Sequence, residues 1–151
     1  MAYAGTYYTG QEDPQIQVDA LKVSNSAVLP NAANTINTNA IDLEAGQPFP
    51  TTGKFTVQLA TTQSTGANSL NINVALQHTN ANTDGTADNG NWANITGLAI
   101  RTIAGNAANY PANTWNVTLP PSTKRYIRGS ATGEANGGNA SDGTLTVKLL
   151  F

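Results

Sequence analysis

The sequence predicts an all-β domain built as a two-sheet sandwich, and three observations carry that prediction. Apolar and polar residues alternate in short runs, as in Leu145, Val147, Leu149 and Phe151 set against Thr144, Thr146 and Lys148. A period of two turns one set of side chains toward a core and the other toward water. The same beat runs through Phe55, Val57 and Leu59, through Leu70, Ile72, Val74 and Leu76, and through Trp115, Val117 and Leu119. No stretch shows a helical period, and loops rich in Gly, Pro, Asn and Asp separate the runs, residues that turns select. Eight short strands in a chain of 151 residues point to a single domain, with a jelly roll as the favoured topology.

Residues 1–14 read as an extended N-terminal arm, ahead of a sandwich domain over 15–151. Tyr3, Tyr7 and Tyr8 lie in this arm among Gly, Ala and Thr. A tyrosine has a flat apolar body and a polar tip, a combination favoured at protein interfaces. The arm either docks on a neighbouring subunit, folds back on its own domain, or stays disordered. The first strand is expected over 15–23, with Ile16 and Val18 on one face and a bulge at Asp19-Ala20 that shifts Leu21 and Val23.

A second strand is expected over 34–43, ended by a loop in which Pro48 and Pro50 have no amide hydrogen to give a ladder. Strands over 54–61 and 70–79 follow, joined by a polar link, and are expected to pair antiparallel at the centre of one sheet. The stretch 79–91 has no large apolar residue and reads as a long exposed loop. Strands over 92–103, 113–119, 124–132 and 144–151 complete the eight, with Pro120-Pro121 stopping the sixth.

Composition excludes several kinds of work. Charged residues are 11% of the chain, against a usual share of about 25%. The net charge of -2 leaves no basic stripe of the kind that displaces counterions from nucleic acid. About forty residues are Asn or Thr, so the surface is expected to be neutral and hydrogen-bonding, suited to packing against other protein. With no cysteine there is neither a disulfide framework nor a thiolate site. The N-terminal residues have no basic and apolar regions of a Sec-type signal, and nowhere do 18 apolar residues run together. No membrane contact is expected.

Chemistry has little to work with. His78 is the only imidazole and is expected as a solvated or hydrogen-bonded strand-end residue, on the face opposite Leu76; no triad or zinc site surrounds it. Asp84, Asp88 and Asn82 gather oxygen atoms, but without the spacing of a calcium loop, so a flexible turn is the expectation. No catalytic residue, metal or cofactor is assigned. Trp92 and Trp115 sit in alternating runs and read as core rather than as sugar platforms. Lys124, Arg125 and Arg128 surround Tyr126 as the one basic cluster, either pairing with acids on a partner protein or guarding an edge strand.

The order of landmarks adds a resemblance. Asp19-Ala20-Leu21, then Asn39-Ala40-Ile41-Asp42-Leu43 before a Gly/Pro loop, Val74-Ala75-Leu76-Gln77, the run from Leu119-Pro120-Pro121 to Tyr126-Ile127-Arg128, and a closing strand resemble the capsid cement, or decoration, proteins of short-tailed bacteriophages. The resemblance implies a jelly roll with no enzymatic activity. Such a protein is made in the host cytoplasm and oligomerises on the outer surface of the icosahedral head, where it clamps major capsid protein subunits together. A homodimer at a two-fold is the favoured arrangement and a trimer the other. Tyr3, Tyr7, Tyr8, Arg125 and Arg128 are the expected partner contacts. The rival reading is a carbohydrate-binding sandwich, such as a tail-fibre receptor domain, holding a glycan on Trp or Tyr and the Asn-rich loops.

Overall fold

The computed structural model describes residues 24–44, 56–63, 71–104, 111–134 and 138–150. The expected arm over 1–14, the strand over 15–23 and its bulge lie outside the described residues. Within them the chain is all-β, in strands β1 (Ser24–Val28), β2 (Thr35–Asn37), β3 (Ile41–Asp42), β4 (Thr56–Thr61), β5 (Ile72–Thr79), β6 (Ala93–Asn94), β7 (Arg101–Ile103), β8 (Asn113–Thr118), β9 (Tyr126–Gly133) and β10 (Thr144–Leu150). They form two antiparallel sheets. One has four strands in the order β1-β10-β4-β8; the other has six, ordered β2-β9-β5-β6, with β3 also on β9 and β7 also on β5.

Seven of the eight expected runs fall on the described residues; two of them break, which makes nine strands, and Ser24–Val28 is the tenth. The run over 34–43 divides into β2 and β3, which both pair with β9; three residues, Thr38 to Ala40, stand opposite two, Arg128 and Gly129. That extra residue makes a bulge, and the Thr38 hydroxyl repairs it by accepting the Gly129 amide at 3.0 Å. The run over 92–103 divides into β6 and β7, both on β5, around a turn at Gly97, whose φ of 92° favours glycine. Ser24–Val28 is a strand the pattern did not reveal, because only Val28 in it is a large apolar residue and that side chain is 52% exposed.

β4 and β5 do not pair with each other, contrary to expectation. β4 lies between β10 and β8, whereas β5 lies in the other sheet beside β9. A two-residue turn would have forced them side by side, but the long polar link between them leaves the second strand free to cross to the facing sheet. There Val57 and Leu59 of β4, and Ile72, Val74 and Leu76 of β5, contribute to the same core from opposite layers. Ile127 and Ala131 of β9 and Leu145, Val147 and Leu149 of β10 join them. Each large side chain so buried contributes roughly 1.5–3 kcal/mol. The layers come closest at Gly129, where an added Cβ would lie 2.5 Å from Val147 Cγ2 and 3.1 Å from Leu145 Cδ2.

His78 shares the face of Leu76, two residues before it, not the opposite one; both are buried. Its Nδ1 accepts the Lys124 amide at 3.2 Å, which leaves the proton of the neutral ring on Nε2. Burial, and then the Lys124 charge, push the imidazole below its ordinary pKa.

Candidate interaction face on the larger sheet

Alternation on the six-stranded sheet turns a row of polar side chains outward: Asn73, Gln77 and Thr79 from β5, and Tyr126, Arg128, Ser130 and Thr132 from β9. Their partners across the strands are mostly polar as well. Thr35 meets Thr132 hydroxyl to hydroxyl at 2.9 Å, and Thr102 donates to Asn73 Oδ1 at 2.8 Å. Gln77 donates through Nε2 to Asn94 Oδ1 at 3.2 Å and accepts at Oε1 from Arg128 Nε at 2.9 Å. The four-stranded sheet does the same on its outer side, with Ser26 against Thr146 at 2.7 Å and Gln58 donating to Asn116 at 3.3 Å. Several of the Asn and Thr on these strands are therefore paired across the sheet, and such pairs each contribute roughly 0.2–1 kcal/mol.

The basic cluster is divided. Arg125 grips Asp42 of β3 with two bonds, Nε to Oδ1 and Nη2 to Oδ2, both 2.8 Å, and Glu44 lies 3.7 Å away. Burial alone would raise the Asp42 carboxyl, but the Arg125 bonds, the Glu44 amide and the Arg125 charge outweigh it and hold the carboxyl below its ordinary range. The same partnership raises the pKa of Arg125. Arg128 instead lies over the ring of Trp92, 4.3 Å from its centre, a cation–π arrangement. Among the described residues no carboxylate pairs with it. β9 is no edge strand, since β2 and β3 flank it on one side and β5 on the other, so the cluster does not guard an edge.

Residues 80–92 fold back over one end of this face. Ala81 and Ala87 bridge, Asp88 donates its amide to the Asn80 carbonyl, and the buried Thr79 hydroxyl donates to the carbonyl of Asp88 at 2.9 Å. Tyr126, also buried, donates its hydroxyl to the Gly85 carbonyl. The loop expected to be exposed has exposed tips, but its root is bonded down. Asp84 accepts from the Thr86 amide and hydroxyl, and Asp88 from the Gly90 amide and the Asn91 side chain, so both carboxylates close turns. Among the described residues no three His, Asp or Glu side chains come together as a metal would require.

Trp92 follows this excursion and is half-buried, not core. Its indole donates from Nε1 to Asn89 Oδ1 at 3.1 Å, which fixes the ring that meets Arg128. Trp115 is half-buried too, packed at the margin of the core. The sequence pattern placed Arg125 and Arg128 together but gave no sign of Gln77, Asn94 or Trp92 beside Arg128. The signal that could have found them is cross-strand register, which brings Gln77 opposite both Arg128 and Asn94. Tyr3, Tyr7 and Tyr8 lie outside the described residues.

No protein-family model matches the chain, and no curated protein matches it. Among solved structures it is similar to one of infectious bursal disease virus, Gx strain, at 17% identity and a TM-score of 0.39. That similarity covers 85% of this chain and 31% of the viral one.

Proposed function

We propose that the protein is a structural component of a bacteriophage head, a cement protein that sits on the outer capsid surface and bridges major capsid protein subunits. The observation that carries this reading is the pair of outer faces, made largely of neutral side chains bonded to one another across strands, with a Trp92–Arg128 anchor on the larger sheet. Tryptophan and arginine are enriched among the residues that dominate interface energetics. The uncharged contacts around that anchor would not be screened by salt. A brace holding two sites on one shell leaves only when both release together.

Strand order supports the jelly-roll reading. With β2 and β3 counted as one broken strand, and β6 and β7 as another, the sheets run 1-8-3-6 and 2-7-4-5. The chain then changes layer at every step but the central hairpin, as two nested Greek keys require. Self-association has support at β8, which among the described residues pairs only with β4, in unbroken register, with no charge, glycine or proline in its six residues. Edges without such safeguards invite another strand. Trp115 and Val117, half-buried along it, would be covered in a two-fold dimer.

The test is decoration. Phage heads lacking this protein are incubated with the purified chain, and occupancy and heat resistance are measured. The wild type is expected to bind and to raise the temperature at which DNA is released. Arg128→Gln is expected to lower occupancy, as is removal of residues 1–13, the arm that carries Tyr3, Tyr7 and Tyr8. Full occupancy by both variants would refute the placement of the contacts, and no binding by the wild type would refute the reading itself. The half-exposed Trp92 beside an Asn-rich loop favours a glycan site as the second reading, for which a sugar-dependent change in Trp92 fluorescence is the check.

A further inference from the structure

We propose that Arg128, framed by Trp92 and Gln77, is a receptor for one carboxylate, presented by an aspartate or glutamate side chain of a partner protein. The inference rests on the larger sheet being a docking face and names the chemistry of its anchor. β9 sends Arg128 outward, opposite Gln77 of β5, which is in turn opposite Asn94 of β6. Gln77 Oε1 takes Arg128 Nε at 2.9 Å and is itself steadied through Asn94. Trp92 covers one face of the guanidinium at 4.3 Å, and Asn89 holds Trp92. Both the azimuth and the tilt of the group are thereby set in the unbound protein.

With Nε occupied, the side-on mode of carboxylate binding is closed. The two terminal nitrogens remain, and none of the described residues accepts from them. They form a fork that fits the two oxygens of a carboxylate end-on. Partial burial lowers the pKa of Arg128, so the fold disfavours its charge without supplying the counter-charge that Arg125 receives. An incoming anion would supply it. One cation matches one negative charge, and Arg125, the basic residue nearest to it in sequence, is engaged by Asp42 and so is not free to serve a phosphate dianion as a second. The surroundings are flat strand with neutral amides and hydroxyls, a surface suited to another protein rather than to an enclosed sugar ring.

The experiment follows the Arg128 Nε–H and Trp92 Nε1–H resonances of the full chain while N-acetylglutamate N-methylamide is added, with Trp115 as the internal control. Its glutamine counterpart and sodium chloride at equal ionic strength are run alongside. The glutamate compound is expected to give saturable shifts with a midpoint on the order of 10 mM, the strength of one isolated charge-assisted pair. Glutamine and chloride give none. Arg128→Gln abolishes the Trp92 shift, and Arg128→Lys weakens it several-fold because an ammonium has no planar fork. Trp92→Phe, which keeps an aromatic face but loses the Asn89 bond that fixes it, weakens the Arg128 response, while an unchanged Trp115 resonance shows that the fold is intact.

Shifts that chloride reproduces, or a Trp92 shift that survives in Arg128→Gln, overturn the inference. So does saturation by N-acetylneuraminic acid at a far lower concentration, which would make the ligand a glycan. The two readings fail separately. If the titration succeeds while Arg128→Gln still decorates heads fully, the carboxylate site stands and the head contact lies elsewhere. If the titration fails while that variant loses occupancy, the docking face stands and the carboxylate does not.

Discussion

Arg125 and Arg128 are three residues apart, yet one lies at a closed corner and the other at an open patch. Arg125 faces β3 and finds Asp42, with Glu44 behind it. Arg128 faces β5 and finds the Gln77 amide, itself bonded to Asn94 of β6, and an indole. The difference lies in the neighbouring strands, not in the arginines. A charge opposite a carboxylate becomes a brace between strands, and one opposite neutral groups is oriented but left to be neutralised from outside. A run of basic residues in a sequence is therefore not one patch until the strands beside it are known.

The hardest blow to that contrast falls beside Arg128, at Gly129. Alanine there would drive a methyl against Val147 and Leu145 and push β9 outward, disturbing both arginine sites together. Overpacking of this kind costs about 2 kcal/mol, which thermal denaturation of Gly129→Ala should show. A loss below about 0.5 kcal/mol would mean that the layers part easily and that neither arginine is held as described.

Next in size is the corner itself. Asp42→Ala and Arg125→Ala should each cost about 1 kcal/mol, near the top of the range for exposed pairs because the bond is bidentate but solvent still reaches it. The double variant should lose little more than either single one, as a double-mutant cycle would show. Additive losses would dissolve the brace.

Acid sharpens the comparison further. The folded pKa values of His78 and Asp42 both lie below their unfolded values of 6.5 and 3.8, so protonation favours the unfolded chain in each case. Stability should be full above pH 6.5, decline as pH falls below it while His78 resists its proton, and decline again as Asp42 is titrated below 3.8. His78→Asn should remove the first decline and Asp42→Asn the second, in urea melts across that range. A single decline unaffected by either change would assign acid sensitivity elsewhere.

The smallest expected effect on stability is at the open patch. Arg128→Gln should stay within about 0.5 kcal/mol of the wild type, because it breaks no ion pair and loses only the Gln77 and Trp92 contacts, while head occupancy falls. A cost equal to that of Arg125→Ala would erase the distinction between the two sites.

Alternation made the sheets legible where every second residue is large and apolar, as in Val57 and Leu59 or Leu145, Val147 and Leu149. It failed at Ser24–Val28, a polar edge held by its ladder to β10 rather than by burial. It failed also at Trp92, because a tryptophan against an arginine on an outer face has the same local pattern as one in a core. The layers of β4 and β5 were not legible, since adjacency in sequence says nothing about layer once a link is long enough to cross. The candidate site was half legible: its cation stood in the sequence, but its frame of Gln77, Asn94 and Trp92 exists only through register.

Residues 80–92 have one consequence that reaches both arginines. The excursion supplies the carbonyl that anchors Tyr126, next to Arg125, and ends in the indole under Arg128. A protease cleaving at its exposed tip, around Thr83 and Asp84, would leave the hydrophobic interior untouched but put β1 to β5 and β6 to β10 on separate fragments. With no cysteine to hold the halves, the nicked molecule would melt into two fragments at a temperature that depends on concentration, so a preparation losing adhesive potency this way would also show it on dilution.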